Sequence, residues 1–130
     1  MTEKLEIYKC NICGNIVEII NSGKGNLLCC NESMEHLTEK NSDEVVQEKH
    51  VPVITTEGES KIIRVGSIPH PMAEEHYIMF IEAISKDKKR ITRQYLVPQE
   101  KPEMGLNNNN DNDFTARELC NIHGLWISNK

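Results

Sequence analysis

The feature that most restricts how this chain can fold is the placement of its cysteines. Four of the five fall within the first thirty residues, as Cys10-Asn11-Ile12-Cys13 and the adjacent pair Cys29-Cys30. A CxxC knuckle lets two thiolates reach one metal while the backbone amides between them donate to sulfur, and Gly14 permits the tight turn that follows. Together with Cys29 and Cys30 the donor set is four sulfurs, which spacing alone leaves equally open to zinc and to iron. Neighbouring residues normally point in opposite directions, so Cys29 and Cys30 reach one ion only if the backbone bends between them. A redox dithiol at Cys10 and Cys13 leaves Cys29 and Cys30 without a purpose. The N-terminal residues lack a basic start followed by an apolar stretch, so no signal peptide is expected. No apolar run approaches the roughly 20 residues of a membrane span, so no membrane partner is expected and the expected compartment is cytoplasmic. An odd number of cysteines in that compartment argues against a disulfide framework.

The rest of the chain reads as β-structure. Residues 16–20 are β-branched and of strand length, 21–26 form a strong turn signal, and Leu27-Leu28 follows, which predicts a hairpin with cysteines at both ends. Residues 38–48 are polar and read as a linker. Strands are predicted over residues 61–68, 76–85 and 90–97, the last two joined as a hairpin through 86–89. Pro52, Pro69, Pro71, Pro98 and Pro102 fall between strands, where a missing amide donor is harmless. The asparagine-rich stretch 107–113 reads as a solvated loop tip. Short strands with frequent turns argue for an all-β sandwich or barrel. Only 38% of the 130 residues are hydrophobic and 5% aromatic, a thin core of the kind that metal or oligomerisation commonly staples. A net charge of -5 argues against nucleic acid as a partner.

The fifth cysteine belongs to a second group. Cys120-Asn121-Ile122-His123-Gly124 has CxxH spacing, enough for two ligands on one ion. His70 is held stiffly between Pro69 and Pro71. His76 opens an apolar strand, and His50 precedes Val51-Pro52; His36 lies in the linker region and is assigned no role. A lone histidine is more often a surface or hydrogen-bonding residue, but four of them at prolines, glycines and strand ends beside a spare cysteine shift that reading. Structural zinc is four-coordinate and closed. Four imidazoles and one thiolate suit instead a redox-active iron with one vacant position. The spacing allows four roughly coplanar imidazoles with the thiolate opposite the vacancy.

These motifs, in this order, resemble desulfoferrodoxin, the two-iron class of superoxide reductase: Cys10-x-x-Cys13-Gly14 with Cys29-Cys30, Glu48-Lys49-His50-Val51-Pro52, His70-Pro71-Met72, His76-Tyr77-Ile78 and Cys120-Asn121-Ile122-His123-Gly124. The resemblance covers nearly the whole chain. It implies a desulforedoxin-like metal-binding domain over residues 1–37 and a catalytic domain, an immunoglobulin-like β-sandwich, over 38–130. Two iron ions per chain are implied. Cys10, Cys13, Cys29 and Cys30 correspond to the ligands of one; His50, His70, His76 and His123, with Cys120 as axial thiolate, correspond to those of the catalytic one. Lys49 resembles the family's cation beside the open position, and Glu48 the carboxylate that can close it in the ferric state. The implied activity is one-electron reduction of superoxide to hydrogen peroxide, supplied by a rubredoxin-like or other one-electron donor, in a homodimer. The competing reading is a rubredoxin-like electron carrier or a zinc-stabilised binding module, which leaves the second group unexplained. The chain departs from the family pattern at Phe80, where many relatives carry tryptophan, and at 107–113, which puts the length of the strand before Cys120 in doubt.

Overall fold

A computed structural model of the chain describes residues 1–41, 50–66, 70–107 and 113–128. It divides into two compact units, Met1–Thr38 and Glu39–Lys130. The twelve elements named in the two units are all strands.

The first unit contains β1 (Ile7–Lys9), β2 (Ile16–Glu18), β3 (Leu28–Cys29), β4 (Glu32–Ser33) and β5 (Glu35–Leu37). Strands β2, β1 and β5 form one antiparallel sheet in that order, and β3 pairs with β4. The expected hairpin between residues 16–20 and 27–28 does not form. The turn-rich stretch that was to close it is held by the N-terminus instead: Thr2 N–H donates to the Gly23 carbonyl at 2.9 Å, and Gly23 N–H donates to the Thr2 hydroxyl at 3.0 Å. β2 then pairs with β1, which carries the fully buried Ile7. Between β3 and β4 both turn residues, Cys30 and Asn31, have positive φ (53° and 62°), the backbone of a type I′ hairpin. The bend that two adjacent cysteine ligands require is therefore a two-residue turn. His36 lies in β5, not in a linker; its ring stacks on Tyr8 at 5.0 Å and its Nε2 is 3.5 Å from the Glu6 carboxylate.

The second unit has two antiparallel sheets. One comprises β6 (Pro52–Glu57), β7 (Ser60–Val65) and a strand β10 (Glu103–Asn107), ordered β10-β7-β6. The other comprises β8 (Ile78–Ser85), β9 (Ile91–Tyr95), β11 (Phe114–Cys120) and β12 (Gly124–Ile127), ordered β12-β11-β8-β9. Ile63 and Val65 of β7 and Met104 of β10 pack with Ile78, Ile81 and Ala83 of β8, Ala116 and Cys120 of β11, and Leu96. The core is thus made by the facing sides of the two sheets, a β-sandwich, and each buried Ile, Val, Leu or Met side chain contributes about 1.5–3 kcal/mol.

The β8–β9 hairpin forms where the sequence predicts it, closed by Ser85 and Arg90. β11 runs a full seven residues, so the departure at 107–113 costs the strand before Cys120 nothing. Asn107 ends β10, and 108–112 lie outside the described residues, as do 42–49 and 67–69. The segment after Thr38 is ordered at its start, because Lys40 forms a parallel bridge with Trp126. No helix among the described residues is long and apolar enough to cross a membrane.

Candidate metal centres

The second unit gathers His50, His70, His76, Cys120 and His123 so that one donor atom from each lies within 4.8 Å of all the others. Three local devices bring this about. A register shift between Leu119 and Cys120 sets Cys120 opposite Ile78, turning its sulfur into the core at the end of β11. The following turn runs to Gly124, whose φ of 86° lets the chain double back into β12 with His123 beside Cys120. Asn121, inside that turn, fixes the segment carrying His76: its side-chain oxygen accepts from Tyr77 N–H at 2.9 Å, and its amide donates to the Glu75 carbonyl at 3.2 Å. Sequence reasoning passed over Asn121, although its place between two predicted ligands was the available signal.

The four rings form a quadrilateral. Neighbouring centroids are 4.4 Å (His50–His70), 4.7 Å (His70–His76), 5.0 Å (His76–His123) and 4.8 Å (His123–His50) apart, and His50 and His76 face each other at 6.5 Å. A tetrahedral cluster has equal separations; a square has a diagonal about 1.4 times its side, as here. Hydrogen bonds select the nitrogens that face inward. Nδ1 of His70 lies 2.6 Å from the Pro71 carbonyl and Nδ1 of His50 lies 3.1 Å from the Glu118 carboxyl, which leaves Nε2 of each for a ligand role. Nε2 of His76 is buried with no hydrogen-bond partner among the described residues. His123 turns Nδ1 inward, 3.0 Å from His50 Nε2 and 3.8 Å from the Cys120 sulfur.

This arrangement fits a bound ion. Two nitrogens each about 2.1 Å from one metal at a right angle lie about 3.0 Å apart, the His50–His123 separation. Burial, reinforced by the other three imidazoles, pushes the His50 pKa down to about 3, so the ring is neutral and its lone pair available. Burial also lowers His123 and raises the Cys120 thiol, the latter opposed by the N–H groups of His123 and Ile122, both 3.4 Å from the sulfur. Burial drives the Glu118 carboxyl well above the usual carboxylate range. A divalent ion reverses that preference, favouring thiolate at Cys120 and carboxylate at Glu118. Glu118 is fully buried and lies 68 residues from His50, so no local motif announced it.

The first unit gathers Cys10, Cys13, Cys29 and Cys30, with the sulfurs again within 4.8 Å of one another and Cys13 and Cys29 3.5 Å apart. Four sulfurs about 2.3 Å from one ion at tetrahedral angles are about 3.8 Å apart, so the set fits a closed four-sulfur site. Its knuckle repeats that of the second centre. Cys10-Asn11-Ile12-Cys13-Gly14 matches Cys120-Asn121-Ile122-His123-Gly124, with φ of 86° at both glycines and a 3.4 Å N–H to sulfur bond from the second ligand to the first. Backbone N–H of Cys13 and of Ile12 lowers the Cys10 pKa to about 6, whereas the neighbouring Cys13 and Cys10 push Cys30 up to about 12. Four thiolates share this space only with a cation between them. Glu48 and Lys49 lie outside the described residues.

Family profiles agree with both halves. The desulfoferrodoxin N-terminal domain profile matches residues 2–37, and the desulfoferrodoxin profile matches 42–129. A desulfoferrodoxin homolog of Methanothermobacter thermautotrophicus is 47% identical over 126 residues, covering 97% of this chain and 99% of that protein. The superoxide reductase of Treponema pallidum shares the fold over 99% of this chain and 100% of its own, with a TM-score of 0.74 at 24% identity. The one-iron superoxide reductase of Giardia intestinalis matches 62% of this chain and 95% of its own, with a TM-score of 0.52 at 30% identity. The expected all-β fold, a desulforedoxin-like part followed by a β-sandwich, therefore stands, and the two donor groups fit two iron centres. In sequence along nearly its whole length, this chain belongs to the desulfoferrodoxin family.

Proposed function

We propose that this protein is a superoxide reductase, an oxidoreductase that converts superoxide, one electron and two protons to hydrogen peroxide without releasing dioxygen. The observation that carries the reading is the square of four imidazoles with one cysteine sulfur beside it, five donors that would leave a six-coordinate iron one position for substrate. His50, His70, His76, His123 and Cys120 would hold the catalytic iron, and Cys10, Cys13, Cys29 and Cys30 the second. When bound, the iron supplies the electron that reduces superoxide.

The chain's own residues set the conditions for that transfer. Neutral imidazoles hold the ion without adding negative charge, which would repel the anionic substrate. Cys120 is kept as thiolate, and the N–H groups of Ile122 and His123 temper its donation of electron density. Glu118 holds the His50 ring in orientation through Nδ1. By the family resemblance, Lys49 would attract superoxide and orient water for proton delivery, and Glu48 would offer its carboxylate to the ferric iron. The electron donor is a rubredoxin-like or other one-electron carrier, and the protein works as a cytoplasmic homodimer with no nucleic acid or membrane partner. A simple electron carrier or a zinc module has no use for the second donor group.

Metal analysis joined to a peroxide-yield assay tests this. Two iron per chain are expected, with one peroxide formed per superoxide consumed, against half that for dismutation. Zinc alone, or the dismutation yield, would overturn the proposal.

A further inference from the structure

We propose that Lys40 is a positioning residue for the five-donor centre, and that its fixed positive charge holds the iron there toward the ferrous state. This rests on the two-iron reading above.

Lys40 is locked in place by its backbone. Its N–H donates to the Leu125 carbonyl at 3.0 Å, and Ile127 N–H donates to the Lys40 carbonyl at 2.8 Å. The residue before it is tied down as well, by a 3.0 Å ion pair between the Glu39 carboxylate and Arg117 Nη1. The ammonium is then aimed at the turn between two ligands, where Nζ donates to the His123 carbonyl at 3.2 Å. Trp126 Nε1 donates to the same oxygen at 3.2 Å. Both groups also meet the Trp126 ring: the Lys40 ammonium lies 5.6 Å from its centre, and His50 stacks on it at 4.8 Å with only 10° between planes. One cation thus touches the backbone of one ligand directly and lies against the indole on which another stacks.

Among the described residues no carboxylate pairs with this ammonium, since that of Glu39 is taken by Arg117. Its carbonyl partner belongs to the residue whose imidazole faces Cys120, so the charge lies within roughly 10 Å of the donor atoms. Oxidising ferrous to ferric iron adds a positive charge to the centre. Across about 10 Å at an intermediate dielectric, the repulsion between two unit charges shifts that equilibrium by about tenfold or more. Burial of Trp126 and of His50, against which this charge lies, limits screening by salt. The clamp also explains why the segment just after Thr38 is ordered against β12: it carries the charge to the centre.

The test is a spectroelectrochemical titration of the ferric band of the five-donor iron in the holoprotein, with iron counted in each sample. Lys40→Gln keeps an N–H donor for the His123 carbonyl but removes the charge, Lys40→Met removes both, and Lys40→Arg keeps both. Both neutral variants are expected to lower the midpoint potential by a tenfold change in the equilibrium, about 59 mV for one electron. Lys40→Arg is expected to stay near the parent, and the four-cysteine iron to keep its potential throughout. Neutral variants that retain iron at the parent potential would overturn the proposal. So would an equal fall in Lys40→Arg, or loss of iron from both neutral variants, which would make Lys40 an anchor only. Failure of the parent protein to bind two iron would instead remove the reading on which this rests.

Discussion

A metal site depends on side chains that touch no metal, and Glu118 is the clearest case. It is fully buried on β11, and its Oε2 lies 3.1 Å from Nδ1 of His50, so it fixes which nitrogen of that ring faces the other donors. Glu118→Ala leaves a buried N–H without its acceptor, at a cost of about 1–3 kcal/mol. Partners of this kind are worth about 10–100-fold in metal affinity. The expected result is iron lost from the five-donor centre to a chelator at about tenfold lower concentration than in the parent, with the four-cysteine centre unaffected; equal retention would assign Glu118 a purely structural place. The nine donors were legible in the sequence because cysteine and histidine at knuckle spacing and beside prolines have few other uses. Glu118 and Lys40 were not, because each acts by pairing with a residue far along the chain. The Lys40 to His123 contact spans 83 positions.

At the level of strands, the sequence was readable where alternation and turn chemistry coincide and misleading where charge enters the sheet. β8 and β9 follow the predicted hairpin, whereas β11 carries Arg117 and Glu118 in its middle and does not look like a buried strand. The structure resolves that conflict by pairing charges across neighbouring strands. Arg117 donates to Glu82 Oε1 through Nε at 2.9 Å and Nη2 at 2.6 Å, and Arg93 donates to Oε2 through Nη2 at 2.9 Å. A single carboxylate on β8 thereby binds guanidinium groups from β11 and β9, with both Glu82 and Arg117 out of water. β2 misled for the opposite reason, since three β-branched or charged residues do not reveal which neighbour they pair with. Glu82→Ala removes one member of a buried pair and should destabilise the sandwich by about 3 kcal/mol. The chain's single tryptophan, Trp126, is buried in β12, so urea unfolding followed by its fluorescence reports on this unit. A change below about 1 kcal/mol would mean that the network contributes order without stability.

On the scale of the whole molecule, the two units solve the same problem twice. Each ends a strand in a Cys-Asn-Ile knuckle, turns at a glycine with φ of 86°, and presents backbone N–H groups to a sulfur. They differ in what completes the set: two more cysteines from a tight hairpin in one, and three histidines from separate segments of a sandwich in the other. The larger scaffold is what allows a square of imidazoles beside one sulfur in place of a closed tetrahedron of four sulfurs. A substrate anion approaching that position meets a protein of net charge -5, so bulk electrostatics oppose its arrival and any attraction must be local. Lys49, adjacent to His50 in sequence, is the cation proposed to supply it. Lys49→Ala is expected to lower the second-order rate with superoxide at least ~10-fold, within the range that focused charge gives to association rates. The same change should flatten the dependence of that rate on ionic strength, because the attractive term that salt screens is gone. Pulse radiolysis over a series of salt concentrations measures both, and an unchanged rate would take Lys49 out of substrate capture, leaving the approach of the anion to the neutral imidazole ring alone.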